Sequence, residues 1–503
     1  MKNMKQEQIE RVDKELEEII ERRVGSLDKK LVVVGTGITS SHLGDERNIR
    51  EFLIANDLVK KLRNRNFNTT FYLFDDSYDP LNFRQLRVAV NKDEKLINKF
   101  EKFCGTPLSL IPDPYDCHPS YAAHFQNAIL KRFHSLDIFP NIIDVYSGYE
   151  SGLYDFAKKI VFTKDKEIHA FLKENFPQYT MKKLFYALCT QCLKIDGTEI
   201  SRIQDGRLTV NCEQCGFKVR DDWRNIRGKF SWKIDVAVKW NIFHVDFEPY
   251  SKAYLDPDVG SYYIAKKLSQ KFFGGYFPEN VNYGQIIMDK SMSYRILPSF
   301  PQKVLNAFFV QNRKKDMELI DKKLIQFAHD YKIDGELSFY DYVLSKLPFE
   351  LFDVAQGKKL PEGHEKIYNN GIAFAHNFLN RELFPQLPTH ELCKDIDSTT
   401  LTKIRKLFDW VIFTKLENPD LTYEVFSQDF KEYLNKNKIS KMELFPLIRK
   451  ILDQEHALPL QRIFFYSSFS YLGGCLLVLE RELILLKRKK SGNAKKQIAK
   501  VVH

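Results

Sequence analysis

No run of about 18 apolar residues occurs in this sequence, the length a helix needs to cross a bilayer, so no membrane partner is expected. The opening residues, MKNMKQEQIERVDKELEEIIERR, lack the apolar core of a secretory leader. Cysteine is scarce, at 8 in 503 residues, too thin for a disulfide scaffold. A reducing, cytoplasmic setting is the expectation. Two phosphate-binding fingerprints are also missing. Gly35-x-Gly37 lacks the third glycine of the dinucleotide motif, and no GxxxxGK[ST] occurs. Nicotinamide, flavin and P-loop chemistry are left without support.

What is present is a large apolar fraction, 44% of the chain, enough for a sizeable core. The length predicts about three domains. Lys and Arg number 77 against 66 Asp and Glu, a net charge of +11. That excess suits a polyanion such as nucleic acid, although solubility alone accounts for it equally well.

The organising stretch is 31–87. LVVVGTGITSSHLGD begins as a β-branched run and breaks at Gly35, Gly37 and Gly44. That pattern predicts a buried strand ending in a loop where backbone can approach a ligand. Ile49, Phe52, Leu53, Leu58, Val59 and Leu62 then mark a helix with a mostly apolar side. A second strand is predicted over Thr69–Phe74, with Asp75, Asp76 and Asp79 clustered at its carboxyl end. Strand, glycine loop, helix and strand make a βαβ unit, whose ligand lies beyond the carboxyl ends of the strands. His42-Leu43-Gly44 before a helix start suits a phosphate, although a lone loop histidine is more often incidental.

Upstream, Ile9, Val12, Leu16 and Ile19 recur at helical spacing and predict a helix over 1–28. Downstream, TPLSLIPDPYDCHPSY carries prolines at 107, 112, 114 and 119, which predict a stiff loop on a site rim. Cys117 and His118 are potential metal ligands there, with no completing pair visible. Helices are predicted over Ala122–Leu136 and Leu153–Ile160, with a short strand at Asn141–Val145 between them. Cys189-x-x-Cys192 and Cys212-x-x-Cys215 are separated by 19 intervening residues. Two such knuckles match a four-cysteine zinc ribbon, and four thiolates leave no position for water, so the zinc is structural. GKFSWKIDVAVKWNIFHVDF places Trp232 and Trp240 beside Asp235, Asp246 and Glu248. Such a cluster could bind a cationic amine or be ordinary core with a solvated rim. Gln285–Met288 reads as the last strand. From about 311 the pattern becomes all-helical, dividing near Pro385–Asp397. KRKKSGNAKKQIAK at 487–500 could contact nucleic acid or simply solubilise the end.

These motifs together resemble the class I type of lysyl-tRNA synthetase. The resemblance rests on the HLG loop with IREFLIAND, FDDSYDP, GTPLSLIPDPYDCHPSYAAHF, YESGLYD, the paired CxxC ribbon and GKFSWKIDVAVKWNIFHVDFEP. Their order and spacing match through about residue 290, and the helical remainder matches loosely. The resemblance implies an α/β, Rossmann-like class I catalytic domain with a zinc-ribbon insertion, followed by an all-helical anticodon-binding-like region. In this chain that divides as an N-terminal helix (1–28), a catalytic domain (29–310), a zinc insertion (181–228), a connecting domain (311–395) and a C-terminal domain (396–503). It implies Mg-ATP, lysine or a related cationic amino acid, and tRNA as ligands of a monomeric lysine–tRNA ligase.

Carried over residue by residue, the resemblance implies that His42 touches the ATP phosphates and that Gly44 lets adenine lie on the backbone. Glu51 faces the lysine ammonium, Tyr283 belongs to the amino-acid pocket, and Gly37 sits near the α-amino group. Asp79 and Trp240 fall in blocks that line the pocket. The chain also departs from the family. Asp45 stands where relatives have Asn, and an added carboxylate beside phosphates costs electrostatic energy unless Mg²⁺ or a cation compensates. The second ATP loop reads Asp289-Lys290-Ser291-Met292-Ser293-Tyr294-Arg295 in place of a sequence close to MSSSKG. Met292 and Ser293 are retained. Lys290 and Arg295 are its candidate catalytic cations, Lys290 on the opposite side by spacing. Where relatives carry GKDH, this chain has Ser251-Lys252-Ala253-Tyr254, and Gly284 replaces an acid after the pocket tyrosine. These departures keep open an alternative: a repurposed paralogue that binds tRNA or an amino acid without standard aminoacylation.

Overall fold

The computed structural model describes residues 14–25, 31–43, 49–204, 207–288, 299–310, 312–319, 321–333, 337–379, 387–393, 395–452 and 459–501. The chain divides into two compact units, 1–297 with 305–320 and 298–304 with 321–503.

The first unit is built on a five-stranded parallel sheet of order β10-β9-β1-β2-β3. Its strands are β1 (Leu31–Ile38), β2 (Asn68–Asp75), β3 (Asn141–Asp144), β9 (Phe247–Ser251) and β10 (Glu279–Tyr283). β1 and β2 pair in register from Leu31–Asn68 to Ile38–Asp75. The middle of β1 is buried, as a strand covered on both faces requires. Gly35 is fixed by this packing: a Cβ there would lie 2.9 Å from Val245 and 3.0 Å from Phe74. The helix Ile49–Asn64 returns the chain from β1 to β2, burying Phe52, Leu53, Leu58, Val59 and Leu62. This is the βαβ unit the glycine-interrupted run predicted, and the fold is α/β. At the N-terminus a helix spans 14–24, with Leu16, Ile19 and Ile20 buried; Ile9 and Val12 lie outside the described residues.

Small antiparallel pieces are inserted between β3 and β9. β4 (Phe185–Ala187) pairs with β8 (Gly228–Phe230). Between them β5 (Thr198–Gln204), β6 (Arg207–Cys212) and β7 (Lys218–Asp222) form a three-stranded sheet. The segment GKFSWKIDVAVKWNIF is a strand followed by one helix, Trp232–Phe243. It is apolar on nearly every side, so no helical stripe announces it.

Gln285–Met288 is not the last strand of the central sheet. β11 (Ile286–Met288) pairs instead with β12 (Met317–Leu319), and the edge of the main sheet is the polar ENVNY strand, β10. The chain turns away at Gly284, whose N–H donates to the Arg313 carbonyl at 2.6 Å.

The second unit is helical among its described residues. Its core gathers Leu401, Leu407 and Phe408 of Ser398–Glu417, Phe426 and Phe430 of Tyr423–Lys436, and Phe464 of Leu460–Tyr466. The last helix is Phe469–Val501. Among the described residues no helix is long and apolar enough to cross a membrane.

Candidate active site

The carboxyl ends of β1, β2, β9 and β10 open on one cavity of about 720 Å³. Gly37, Thr39, Ser41 and His42 line it from β1 and the loop beyond. Glu51 lines it from the helix Ile49–Asn64, Asp76 and Asp79 from the end of β2, Glu248 and Tyr250 from β9, and Tyr283 from β10. The crevice beyond parallel strands is where ligands of open α/β sheets lie.

Glu51 is a fixed acceptor. Tyr283 Oη donates to its Oε2 at 2.7 Å, Thr36 Oγ1 donates to its Oε1, and the Gly37 backbone N–H adds a third donor. Burial pushes the Glu51 carboxyl up, and these three donors pull partly against it. A carboxyl raised by burial and partnered only by neutral donors is one that an arriving cation converts to the carboxylate.

The acids at the end of β2 are differently placed. Lys239 Nζ lies 3.0 Å from Asp76 and 3.0 Å from Asp235, while Lys229 Nζ contacts Asp79. Thr39 Oγ1 also donates to Asp79, at 3.0 Å. Burial works against the Lys239 cation, but Asp235 and Asp76 outweigh it and hold the amine above its ordinary value. Burial raises Asp76, and Lys239 and Lys229 oppose that. Asp75, one residue earlier, accepts from the Ser40 N–H at 3.1 Å and Gln126 Nε2 at 2.9 Å; burial pushes it up to about 7. It therefore ties the glycine loop to β2. Tyr121 Oη, donating to the Ser41 carbonyl at 2.8 Å, holds the same loop from the far side.

Of the residues singled out in sequence, Gly37, His42, Glu51, Asp79 and Tyr283 come together in the cavity. Trp240 stands behind its wall, 1% exposed, and its indole N–H donates to Glu248, which faces the cavity. Gly44, Asp45, Lys290, Met292, Ser293 and Arg295 lie outside the described residues. Sequence reasoning did not assign Thr36, Lys239, Tyr250 or Tyr254 to the site, and it left Glu248 open between an amine-binding cluster and ordinary core. The Asp235–Lys239 spacing, one helical turn, was the available signal for Lys239.

Two clusters could hold metal. Cys189, Cys192, Cys212 and Cys215 bring their sulfurs within 4.8 Å of one another. The Cys189–Cys215 and Cys192–Cys212 sulfur separations are both 3.6 Å, too long for disulfides. They fit the edge of about 3.8 Å of a tetrahedron with Zn–S bonds of about 2.3 Å. Each knuckle closes by a backbone turn, Leu193 N–H to Cys189 O and Gly216 N–H to Cys212 O, both 2.9 Å. The second cluster completes the isolated Cys117-His118 pair. Asp113 and His124 join them, again with ligand atoms within 4.8 Å. Cys117 Sγ lies 3.1 Å from His118 Nδ1 and 3.3 Å from His124 Nδ1. Asn127 stands 2.7 Å from His118 Nε2, and the other ring nitrogen, Nδ1, is the one turned toward Cys117. The spacing Asp-x-x-x-Cys-His-x-x-x-x-x-His was the signal that could have found it.

A family profile described as "tRNA synthetases class I (K)" matches residues 10–331. The lysine–tRNA ligase of Archaeoglobus fulgidus is 28% identical over 255 residues, covering 50% of this chain and 49% of that protein. That of Methanococcus maripaludis is 31% identical over 367 residues, covering 63% and 66%. That of Treponema pallidum is 27% identical over 376 residues, covering 71% and 67%. The chain spans about half the length of the first of these relatives.

Proposed function

The chain belongs to the class I (K) tRNA synthetases, and from that premise we propose that it activates lysine with ATP and transfers it to tRNA. The observation that carries this reading is Glu51. It is a buried-side carboxylate with three neutral donors, facing a cavity at the strand ends beside His42. Such a group binds an ammonium.

In the first step the lysine carboxylate attacks the α-phosphorus of ATP and pyrophosphate leaves. In the second, a terminal ribose hydroxyl of tRNA attacks the acyl carbon of the adenylate and AMP leaves. Neither step needs a covalent bond to the protein. Both need orientation and stabilisation of phosphoryl charge. Glu51, braced by Tyr283 and Thr36, orients the amino acid. Gly37 lets the substrate approach the end of β1. His42 donates to the phosphates as the loop turns into the helix Ile49–Asn64. Gly44, Asp45, Met292 and Ser293 complete the ATP site, with Lys290 and Arg295 as its cations. Mg²⁺ enters with ATP as part of the substrate. Zinc in the four-cysteine cluster is structural. The Asp113, Cys117, His118 and His124 cluster has the donor set to hold a second ion beside the proline-rich loop. The protein works as a cytoplasmic monomer.

The test is lysine-dependent exchange of pyrophosphate into ATP by zinc-loaded protein, with and without total tRNA. Exchange that requires lysine is the expected result. Folded, zinc-containing protein that binds tRNA or lysine but gives no exchange would overturn the ligase reading in favour of a repurposed paralogue.

A further inference from the structure

The acids of the cavity fall into two sets. Asp76 and Asp79 each contact a buried lysine, Lys239 and Lys229. Glu51 and Glu248 have no lysine or arginine ion pair among the described residues. Glu248, the second residue of β9, is 9% exposed and faces the cavity. Its partners are neutral donors, the Trp240 indole N–H and the Tyr250 hydroxyl. Lys239, the cation whose field reaches it, is already held at 3.0 Å by both Asp76 and Asp235. Aromatic rings wall the space beside it. Trp240 and Tyr250 stand edge to face at 6.4 Å between centroids, as do Tyr250 and Tyr254. An enclosed space with two carboxylates, neutral donors and aromatic faces is complementary to organic ammonium groups.

We infer that Glu248 is a second ammonium-binding carboxylate, so that the cavity takes an amino acid carrying two ammonium groups, one for each glutamate. This rests on the reading of the cavity as an amino-acid pocket. It explains discrimination as well as binding. An amino acid with an uncharged side chain leaves one buried glutamate without its cation, and a site built to pair a polar group rejects the analogue that lacks it. The titratable groups facing Glu248 are Glu51 from the helix Ile49–Asn64, Lys239 from Trp232–Phe243, Tyr250 from β9 itself and Tyr262 from Ser261–Leu268. Burial, aided by Glu51 and opposed by Trp240 and Lys239, pushes the Glu248 carboxyl up to about 8. Near pH 7 the empty pocket therefore holds this carboxyl mostly protonated. The arriving ammonium favours the carboxylate, and the proton passes to solvent as the substrate binds.

The experiment is calorimetric titration of the full chain with L-lysine and with norleucine, in two buffers of different ionisation heat near pH 7. ATP binding serves as a control. Expected for the wild type are proton release on lysine binding and much weaker binding of norleucine. Glu248→Gln keeps the shape and the acceptor for Trp240. It should bind lysine roughly 30-fold more weakly or worse, as loss of one partner of a buried charge pair does. It should also release fewer protons than the wild type, Glu51 supplying what remains, while retaining ATP affinity. Lysine affinity within about twofold of wild type in E248Q would overturn the inference and reduce Glu248 to an anchor for Trp240. If E248Q does not fold, the wild type still decides, because norleucine binding as tightly as lysine overturns the inference. Wild-type protein that binds ATP but not lysine fails the ligase reading itself, and the inference with it.

Discussion

Replacing Lys239 by Met tests the charged wall of the pocket. Lys239 is 4% exposed, and its Nζ sits 3.0 Å from each of two carboxylates, Asp76 and Asp235. Methionine keeps the unbranched apolar stem and removes the ammonium with its charge and hydrogen bonds. Asp76 retains the field of Lys229, and Asp235 retains the Tyr149 hydroxyl, so neither acid is wholly bare. Breaking a buried pair by removing one partner typically costs about 3–5 kcal/mol, because the surviving charge stays buried. Against a total stability of about 5–15 kcal/mol, that loss is plain in urea unfolding followed by tryptophan fluorescence. Trp223, Trp232 and Trp240 report this unit. The pH dependence carries the sharper test. In the wild type, burial pushes the Asp235 carboxyl up, but Lys239, Lys229 and Tyr149 outweigh this and hold it below its ordinary value. Its stabilisation is therefore present above the unfolded-state value and lost as pH falls through the folded one. Without Lys239 burial dominates, the folded value rises, and stability is lost as pH rises instead. The gap between K239M and wild type should accordingly be larger near pH 8 than near pH 5. Adding Asp235→Asn should recover part of the loss near pH 8. A loss below about 1 kcal/mol near pH 8, or an equal gap at both pH values, would refute this account of the network.

Cys212→Ser should lower zinc content by about one ion per chain and speed amide exchange in β5, β6 and β7, because three thiolates cannot close a structural tetrahedron; unchanged zinc would refute the ribbon reading. Tyr283→Phe removes the 2.7 Å donor to Glu51. A hydrogen bond to a charged group is worth about 1.5–3 kcal/mol, so the KM for lysine should rise roughly ten- to hundredfold with the KM for ATP unmoved; an unchanged lysine KM would detach Tyr283 from the pocket. Gly284→Ala should destabilise by about 1–3 kcal/mol through overpacking, seen as a lower Tm, and an unchanged Tm would show that the neighbouring backbone yields freely.

The parts of the fold legible in sequence are those with a strong local signal. The run Leu31–Ile38 is β-branched and ends in glycines, so β1 and the loop beyond it could be read directly. The CxxC pairs state their own geometry. β10 was not read, because ENVNY offers only Val281 and Tyr283 as an apolar face, too short a signal by itself, and gains its place by pairing with β9. The helix Trp232–Phe243 is hidden for the opposite reason: it is apolar nearly all round, and aromatic residues at that density suit a strand as well. Cys117 and His118 looked incomplete because a metal-type cluster is assembled by a turn and a helix start, which bring Asp113 and His124 from either side. Glu248 was visible as an acid among aromatics. Its function depends on which neighbouring acids are already paired, and pairing between Asp79 and Lys229, 150 positions apart, is a property of the folded sheet.

The departures from the family pattern also read differently in three dimensions. Gly284 stands where relatives carry an acid, which in sequence looks like loss of a ligand-facing group. In the fold no side chain fits there. A Cβ at 284 would lie 2.4 Å from the Lys315 carbonyl carbon and 2.5 Å from the Asp316 nitrogen. The 313–316 backbone occupies the space, and it is held in place. Arg50 Nη1 donates to the Gly284 carbonyl at 2.7 Å and to the Lys315 carbonyl at 2.9 Å, while the Gly284 N–H donates to Arg313 O at 2.6 Å. Arg50 is fully buried and directly precedes Glu51, so the guanidinium that ties down the Gly284 turn is joined through one peptide bond to the carboxylate that faces the pocket. Tyr283, whose hydroxyl grips Glu51, is the neighbour of Gly284 on the other side of the same knot. Only a glycine fits at 284, and the 313–316 backbone that fills the space is tied through Arg50 to the residue preceding Glu51 and, through Gly284, to Tyr283.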